Sequence, residues 1–219
     1  MATRPVHLPG AVRKNDEIFC GAFTQTLPWV KAYCQDTTEV VHGPSCKVEK
    51  EIDTERCEAD GVAIVSRRGG GGTVVLSPGM LITVVVGKRR ANDSVLHVFS
   101  RIHRAMIALI EEAGGPSLEE EGTSDLAFEN RKVLGSSLYL CNRPYRYFYQ
   151  SSLMVGSDVS LLSRYLKHPP KEPRYREGRD HTDFCTTLCA CGCALGAPEI
   201  ADVFNRELGA RISALDGES

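Results

Sequence analysis

Three β-type runs crowd together between residues 61 and 86, with only turn residues between them. Gly61-Val-Ala-Ile-Val65 enters Ser66-Arg67-Arg68 and four glycines. Thr73-Val-Val-Leu76 leaves the glycines, and Ser77-Pro78-Gly79 turns the chain into Met80-Leu-Ile-Thr-Val-Val-Val86. Strands clustered in this way, with helices interspersed elsewhere, predict an α+β fold around a mostly antiparallel or mixed sheet flanked by helices.

The remaining chain fits that frame. Glu39–His42 reads as a short strand, and the charge-dense stretch 47–60 as a solvated helix. From Ser94 to Ala113, Val95, Val98, Phe99, Ile102, Met106, Leu109 and Ile110 recur every three or four residues and define one apolar face. Asn92, Asp93 and Ser94 offer caps, and Gly114-Gly115-Pro116 ends the helix. Glu119–Glu121 reads as an acidic loop. Leu126–Phe128 and Lys132–Leu134 read as strands joined by Glu129-Asn130-Arg131, and Leu138–Leu153 as a further strand pair. Ser157-Asp158 caps a helix that Pro169-Pro170 stops. Residues 168–180 form a basic, proline-broken loop, and Pro198 opens a last helix to about Ile212. No boundary within this stretch separates two domains.

Lysine and arginine number 26 against 28 acidic residues, a formal charge of −2, so phosphate neutralisation is not the source of any partner affinity and nucleic acid is not expected. No apolar run approaches a membrane span, and the first ten residues carry no apolar core of a secretion signal, so neither membrane nor export is expected. The nine cysteines are odd in number and form no compact framework; they read as reduced thiols of a cytoplasmic protein. Four of them, Cys185, Cys189, Cys191 and Cys193, fall within nine residues. They lack the paired Cys-x2-Cys spacing of zinc and iron–sulfur sites, so thiols near a strand end are the plainer reading.

Two stretches carry chemistry. Four adjacent glycines after Arg67-Arg68 lower the steric limit on how closely backbone can approach a ligand, and the arginines can fork onto a carboxylate or phosphate. The loop is neither a P-loop, since no Gly-Lys-Ser/Thr follows, nor a dinucleotide fingerprint, since a strand comes next. In the second stretch, Lys132 sits in a strand pattern three residues before Gly135, where it can stabilise charge building on an acyl or phosphoryl oxygen. Asp125 can accept hydrogen bonds from a ligand amine or help hold a hydrated magnesium.

Together these stretches resemble the lipoate–protein ligase A family, in the superfamily of biotin and lipoate ligase catalytic domains. The family's arginine pair, glycine triplet, small residue and β run are matched by Arg67, Arg68, Gly69, Gly70-Gly71-Gly72, Thr73 and Val74-Val75. Its later Gly-x-Asn-Asp and Arg-Lys-x-x-Gly-Ser segments are matched by Gly122-Thr-Ser124-Asp125 and Arg131-Lys132-Val-Leu-Gly135-Ser136. The likeness extends over about residues 35–210, which divides the chain into an irregular N-terminal segment, 1–34, and a catalytic domain, 35–219, without the accessory C-terminal domain of many members. The resemblance implies activation of lipoate, or octanoate, with ATP and Mg²⁺ to an acyl-adenylate, then transfer to a lysine of a lipoyl carrier domain or glycine-cleavage H protein. It implies that Arg67 or Arg68, Gly70–Gly72 and Thr73 wrap the adenylate with Gly135 and Ser136 nearby, that Lys132 holds the acyl and phosphoryl oxygens, and that Asp125 contacts the adenosine end. No residue is implied as a metal ligand.

The departures are specific. Ser66 replaces the first arginine of the usual pair, Ser124 the asparagine before Asp125, and Leu76 a frequent histidine. Without the accessory domain of many members, which in some is a separate chain, activation can require a separate accessory chain, or the chain can serve transfer alone. Two other readings stay open: a cysteine-dependent octanoyl transferase working without ATP through Cys141 or Cys185, and a ligase-like module that binds without turnover. The six histidines show no ligand spacing; His97 and His103 lie six apart on a helix and read as structural. Arg174, Arg176 and Arg179 can meet an acidic carrier domain.

Overall fold

A computed structural model describes residues 15–22, 24–90, 93–143 and 145–217; the first ten residues and the Asn92 cap lie outside them. The elements in chain order are α1 (Asp16–Ala22), β1 (Trp29–Cys34), β2 (Glu39–His42), α2 (Val48–Glu51), α3 (Thr54–Ala59), β3 (Ala63–Ser66), β4 (Val74–Leu76), β5 (Met80–Lys88), α4 (Val95–Glu112), β6 (Glu119–Glu121), β7 (Asp125–Phe128), β8 (Arg131–Asn142), β9 (Tyr145–Met154), α5 (Ser160–Tyr165), α6 (His181–Phe184), α7 (Ala197–Val203) and α8 (Gly209–Gly217). A six-stranded antiparallel sheet has the order β1-β5-β9-β8-β7-β6. A smaller mixed sheet has the order β3-β2-β4, with β2 parallel to β3 and antiparallel to β4.

The large sheet is covered on both faces. One face carries Leu81, Val85, Leu134, Tyr147, Tyr149 and Leu153, which pack against Val98, Phe99, Ile102, Met106, Leu109 and Ile110 of α4 and against Ile200, Phe204, Leu208 and Ile212. The predicted apolar stripe of α4 is therefore the buried one, except that Val95 at its start is 42% exposed. Ser94 caps the helix, its hydroxyl accepting from the His97 N–H. On the opposite face, Met80, Ile82 and Met154 meet the small sheet, while Val84, Val86 and Phe148 meet Ile18, Phe19 and Trp29. Two different covers thus share one sheet face.

Several expectations change. Of the segment 1–34, the described residues contain α1 and the edge strand β1, and residues 1–14 lie outside the described residues. That edge is closed by Asn205, whose amide both accepts from the Ala32 N–H and donates to its carbonyl at 2.8 Å. The charged stretch 47–60 is two helices, because buried Ile52 bridges to Leu166 and Asp53 caps the second. Glu119–Glu121 is a strand, pairing with β7. The last helix contains a π-helical turn at Phe204–Leu208 and runs on to Gly217.

Candidate functional site

The β7–β8 hairpin turns through Glu129 and Asn130, whose φ values of 46° and 62° match the twist of paired strands. Its register slips between Leu126, opposite Leu134, and Ala127, opposite Lys132, so Val133 is an extra residue in a bulge. The bulge has a chemical consequence. Residues three apart on a regular strand face opposite sides, yet the Lys132 ammonium lies over Gly135. A Cβ on Gly135 would sit 2.9 Å from both Cε and Nζ of Lys132. Lys132 Nζ donates to Asp125 Oδ1 at 2.8 Å, and the Tyr175 hydroxyl donates to Asp125 Oδ2 at 2.9 Å. Burial, first, and the Asp125 charge push the Tyr175 hydroxyl far up, so it keeps its proton as donor.

The glycine loop is built differently. Arg67 is buried and forks onto backbone carbonyls: Val41 at 3.2 Å, Gly70 at 3.0 Å and Gly72 at 2.6 Å. No carboxylate among the described residues pairs with it, and burial lowers its pKa. Other atoms press on the loop from both sides. A Cβ on Gly43 would meet the Gly71 carbonyl, and one on Gly69 would lie 2.6 Å from Ser137 Oγ. The Thr73 hydroxyl donates to Glu51 Oε2 at 2.7 Å, which ties the loop's exit to α2. Arg68 turns outward instead, bonded to Asp16 at 2.8 Å and stacked 4.5 Å from the Phe19 ring.

Between loop and hairpin lie two connected spaces. A narrow slot of about 150 Å³ runs under the loop, walled by Val41, Val74, Leu76 and Ile82, with Arg67 and Gln150 on it. A wide cleft of about 600 Å³ opens on the other side, edged by Lys167, Lys171, Arg176, His181 and Phe184. Gly71, Gly72, Thr73, Asp125, Lys132 and Gly135 line both. Among the predicted site residues, these six and Arg67 converge. Gly70 serves through its carbonyl, and Arg68 does not reach the slot. Ser136 lines the slot, while its hydroxyl points through the sheet, donating to the Ser124 carbonyl and meeting His103 Nε2 at 3.1 Å. His103, expected to be structural, is buried. Burial lowers it to about 4 and keeps it neutral although Glu120 lies 3.9 Å away.

The segment after Pro170 is more ordered than a basic solvated loop. Arg176 is buried beside Phe184, and Arg179 donates to the carbonyls of Arg176, Tyr175 and Asn130. Only Arg174 of the three is exposed. Cys185 lines the cleft and bridges to Lys132 through the backbone, whereas Cys141 sits at the far end of β8 against the Arg143 carbonyl. Burial raises the Cys185 thiol, the wrong direction for a resting thiolate. All nine cysteines are unpaired, and no three His, Cys, Asp or Glu among the described residues form a metal-holding group. Asp125 is engaged at both oxygens, by Lys132 at one and Tyr175 at the other. Tyr175, Glu51 and Gln150 are site residues the sequence did not single out. Glu51 hid in a charged run, and nothing local marks a strand glutamine as buried.

Residues 17–208 match the lipoyl protein ligase A/B catalytic domain. The chain belongs to this family. The fold, accordingly, is that of the biotin and lipoate ligase catalytic domains. It resembles the structure of a bi-partite lipoate protein ligase from Thermoplasma acidophilum, described with its E2 lipoyl domain (TM-score 0.72, 18% identity, 85% of this chain and 71% of that one). It also resembles a lipoate-protein ligase A bound with ATP (0.72, 17%, 85% and 73%) and the P. falciparum protein LipL1 in complex with lipoate (0.70, 13%, 92% and 56%). No helix among the described residues is long and apolar enough to cross a membrane.

Proposed function

We propose that this family member activates lipoate, or a similar medium-chain acid, with ATP and transfers the acyl group to a lysine of a lipoyl carrier domain. The observation that carries the reading is the position of Lys132 and Asp125 at the junction of a narrow slot, with Val41, Val74, Leu76 and Ile82 on it, and a wide, cation-edged cleft. A tail in the slot and a nucleotide in the cleft would meet at one ammonium. The ATP, lipoate and lipoyl domain named with the similar structures support the same assignment.

In the first step a carboxylate oxygen attacks the α-phosphorus, the bond to the β-phosphate oxygen breaks, and pyrophosphate leaves. Lys132 supplies fixed positive charge to the oxygens involved, and Asp125 aims it. Arg67 stiffens the loop that shields the mixed anhydride from water. In the second step the carrier lysine's amine attacks the acyl carbon, the bond to AMP breaks, and the amine loses a proton as the amide forms. No enzyme nucleophile is required. An H protein is a second acceptor class, and an accessory chain is a proposed partner by analogy with the bi-partite relative.

Intact-mass measurement of a lipoyl domain after incubation with ATP, Mg²⁺ and lipoate tests the reading. A lipoyl-sized increase lost in Lys132→Ala is expected; carrier binding without any mass change would refute it and leave a non-catalytic binding module. Cys185 in the cleft favours one alternative, transfer from an acyl-carrier donor through a thioester. Modification without ATP that Cys185→Ser abolishes would select it.

A further inference from the structure

The narrow slot has a mixed lining, with Val41, Val74, Leu76 and Ile82 beside Asn15, Ser137, Ser152 and Gln150. Gln150 lines it, is only 9% exposed, and its side-chain amide has no hydrogen-bond partner among the described residues. On β9 it stands between Ser137 of β8 and Val84 of β5 in the strand register. Asn15 lines the same slot, with its Oδ1 already accepting from the Tyr33 hydroxyl at 2.8 Å. The amide is open to the slot, so a ligand that fills the slot must either bond it or leave it desolvated.

The register locates that group. Gly135, beneath the Lys132 ammonium, pairs with Ser152, and Gln150 lies two residues further along β9 on the same face. Two residues of strand span about 7 Å. An acid whose carboxylate reaches Lys132 would therefore bring the distal part of an eight-carbon chain to the Gln150 amide. A methyl terminus there leaves the amide desolvated and unpaired. A ring disulfide offers polarisable sulfur atoms that accept weak hydrogen bonds.

We propose that Gln150 is a specificity-determining residue that selects acids bearing a polar or polarisable distal group, such as a dithiolane, over methyl-terminated acids of the same length. The inference rests on the acid-activation reading above. A preference of roughly 10–100-fold corresponds to about 1.4–2.8 kcal/mol, within the range that leaving an amide desolvated and unpaired costs.

The test compares kcat/KM for lipoate and octanoate in ATP–pyrophosphate exchange, in the wild type and in Gln150→Leu and Gln150→Met, with melting curves as the check on folding. The expected result is a lipoate preference that falls at least tenfold in both variants, chiefly because octanoate improves. Should either variant melt early, the folded one decides. An unchanged preference ratio in a folded variant overturns this proposal while leaving acid activation standing. Exchange with neither acid in the wild type overturns both.

Discussion

The glycine loop and the β7–β8 hairpin face each other across the same slot, and they reach order by opposite routes. The loop has few side chains, and its shape is set by one buried guanidinium gripping its carbonyls and by close backbone contacts at Gly43 and Gly69. The hairpin is held by strand pairing, and its single irregularity, the bulge at Val133, swings Lys132 onto the face of Asp125 and Gly135. The contrast teaches a division of labour. Charge that must be aimed is mounted on sheet, where Tyr175 and Asp125 fix it. On the proposed reading, backbone that must enclose a ligand is left as a loop held chiefly by the Arg67 guanidinium.

The largest effect that would sharpen this contrast is Lys132→Ala. It should reduce lipoate-dependent ATP–pyrophosphate exchange on the order of 10³-fold in a chain that still folds, with a lowered melting temperature because buried Asp125 loses its ionic partner and keeps only Tyr175. Loss of folding instead would make Lys132 a structural cation and remove the division of labour.

The next effect is on stability and sits behind the hairpin. His103 is lowered from 6.5 to about 4 by burial. Above pH 6.5 neither the folded nor the unfolded chain is charged there, so the residue adds no pH dependence. As pH falls from 6.5 towards 4 the unfolded chain takes up a proton that the folded chain refuses, and stability drops by roughly 3 kcal/mol over that window. His181, also lowered to about 4, acts in the same direction. Denaturant titrations of His103→Gln between those pH values should show a shallower decline; an identical slope would show that the ring titrates normally.

Two alanine substitutions then separate the regions. Gly135→Ala meets only the flexible end of Lys132, so activity should fall roughly 10–100-fold while stability moves by less than about 1 kcal/mol. Gly43→Ala meets the Gly71 carbonyl, a backbone atom that cannot step aside, so stability should fall by about 1–3 kcal/mol and proteolysis within 67–73 should rise. Equal signatures in the two variants would break the comparison.

What the sequence disclosed follows the same line. Elements built on local periodicity were legible: α4 from its 3–4 spacing, β5 from its β-branched run, the hairpin turn from Glu129-Asn130. The roles of Lys132, Asp125 and Gly135 came from resemblance to a family, because a strand lysine beside a glycine has no distinctive local pattern. The parts that stayed hidden depend on contacts between distant residues. Tyr175 meets Asp125 across fifty positions, and the bulge that aligns Lys132 with Gly135 is a property of pairing, not of either strand. Arg67 and Arg68 are neighbours of one type with opposite fates, since one side of the loop is buried by β2 and the other by α1.

That pair supplies the smallest predicted effect. Arg68 bonds Asp16 and lies on Phe19, with about a quarter of each charged side chain exposed, so the ion pair is largely screened. Arg68→Ala should cost about 1 kcal/mol or less and change exchange activity less than about twofold. The reason is geometric: the side chain is not among those lining the slot and instead fastens α1 over Tyr139 and Phe148 through Phe19. If the variant instead lost activity as deeply as Lys132→Ala without melting earlier, Arg68 would have to swing from Asp16 into the slot when substrate binds. The loop would then supply aimed charge as well as enclosure, and the distinction between the two regions would fail.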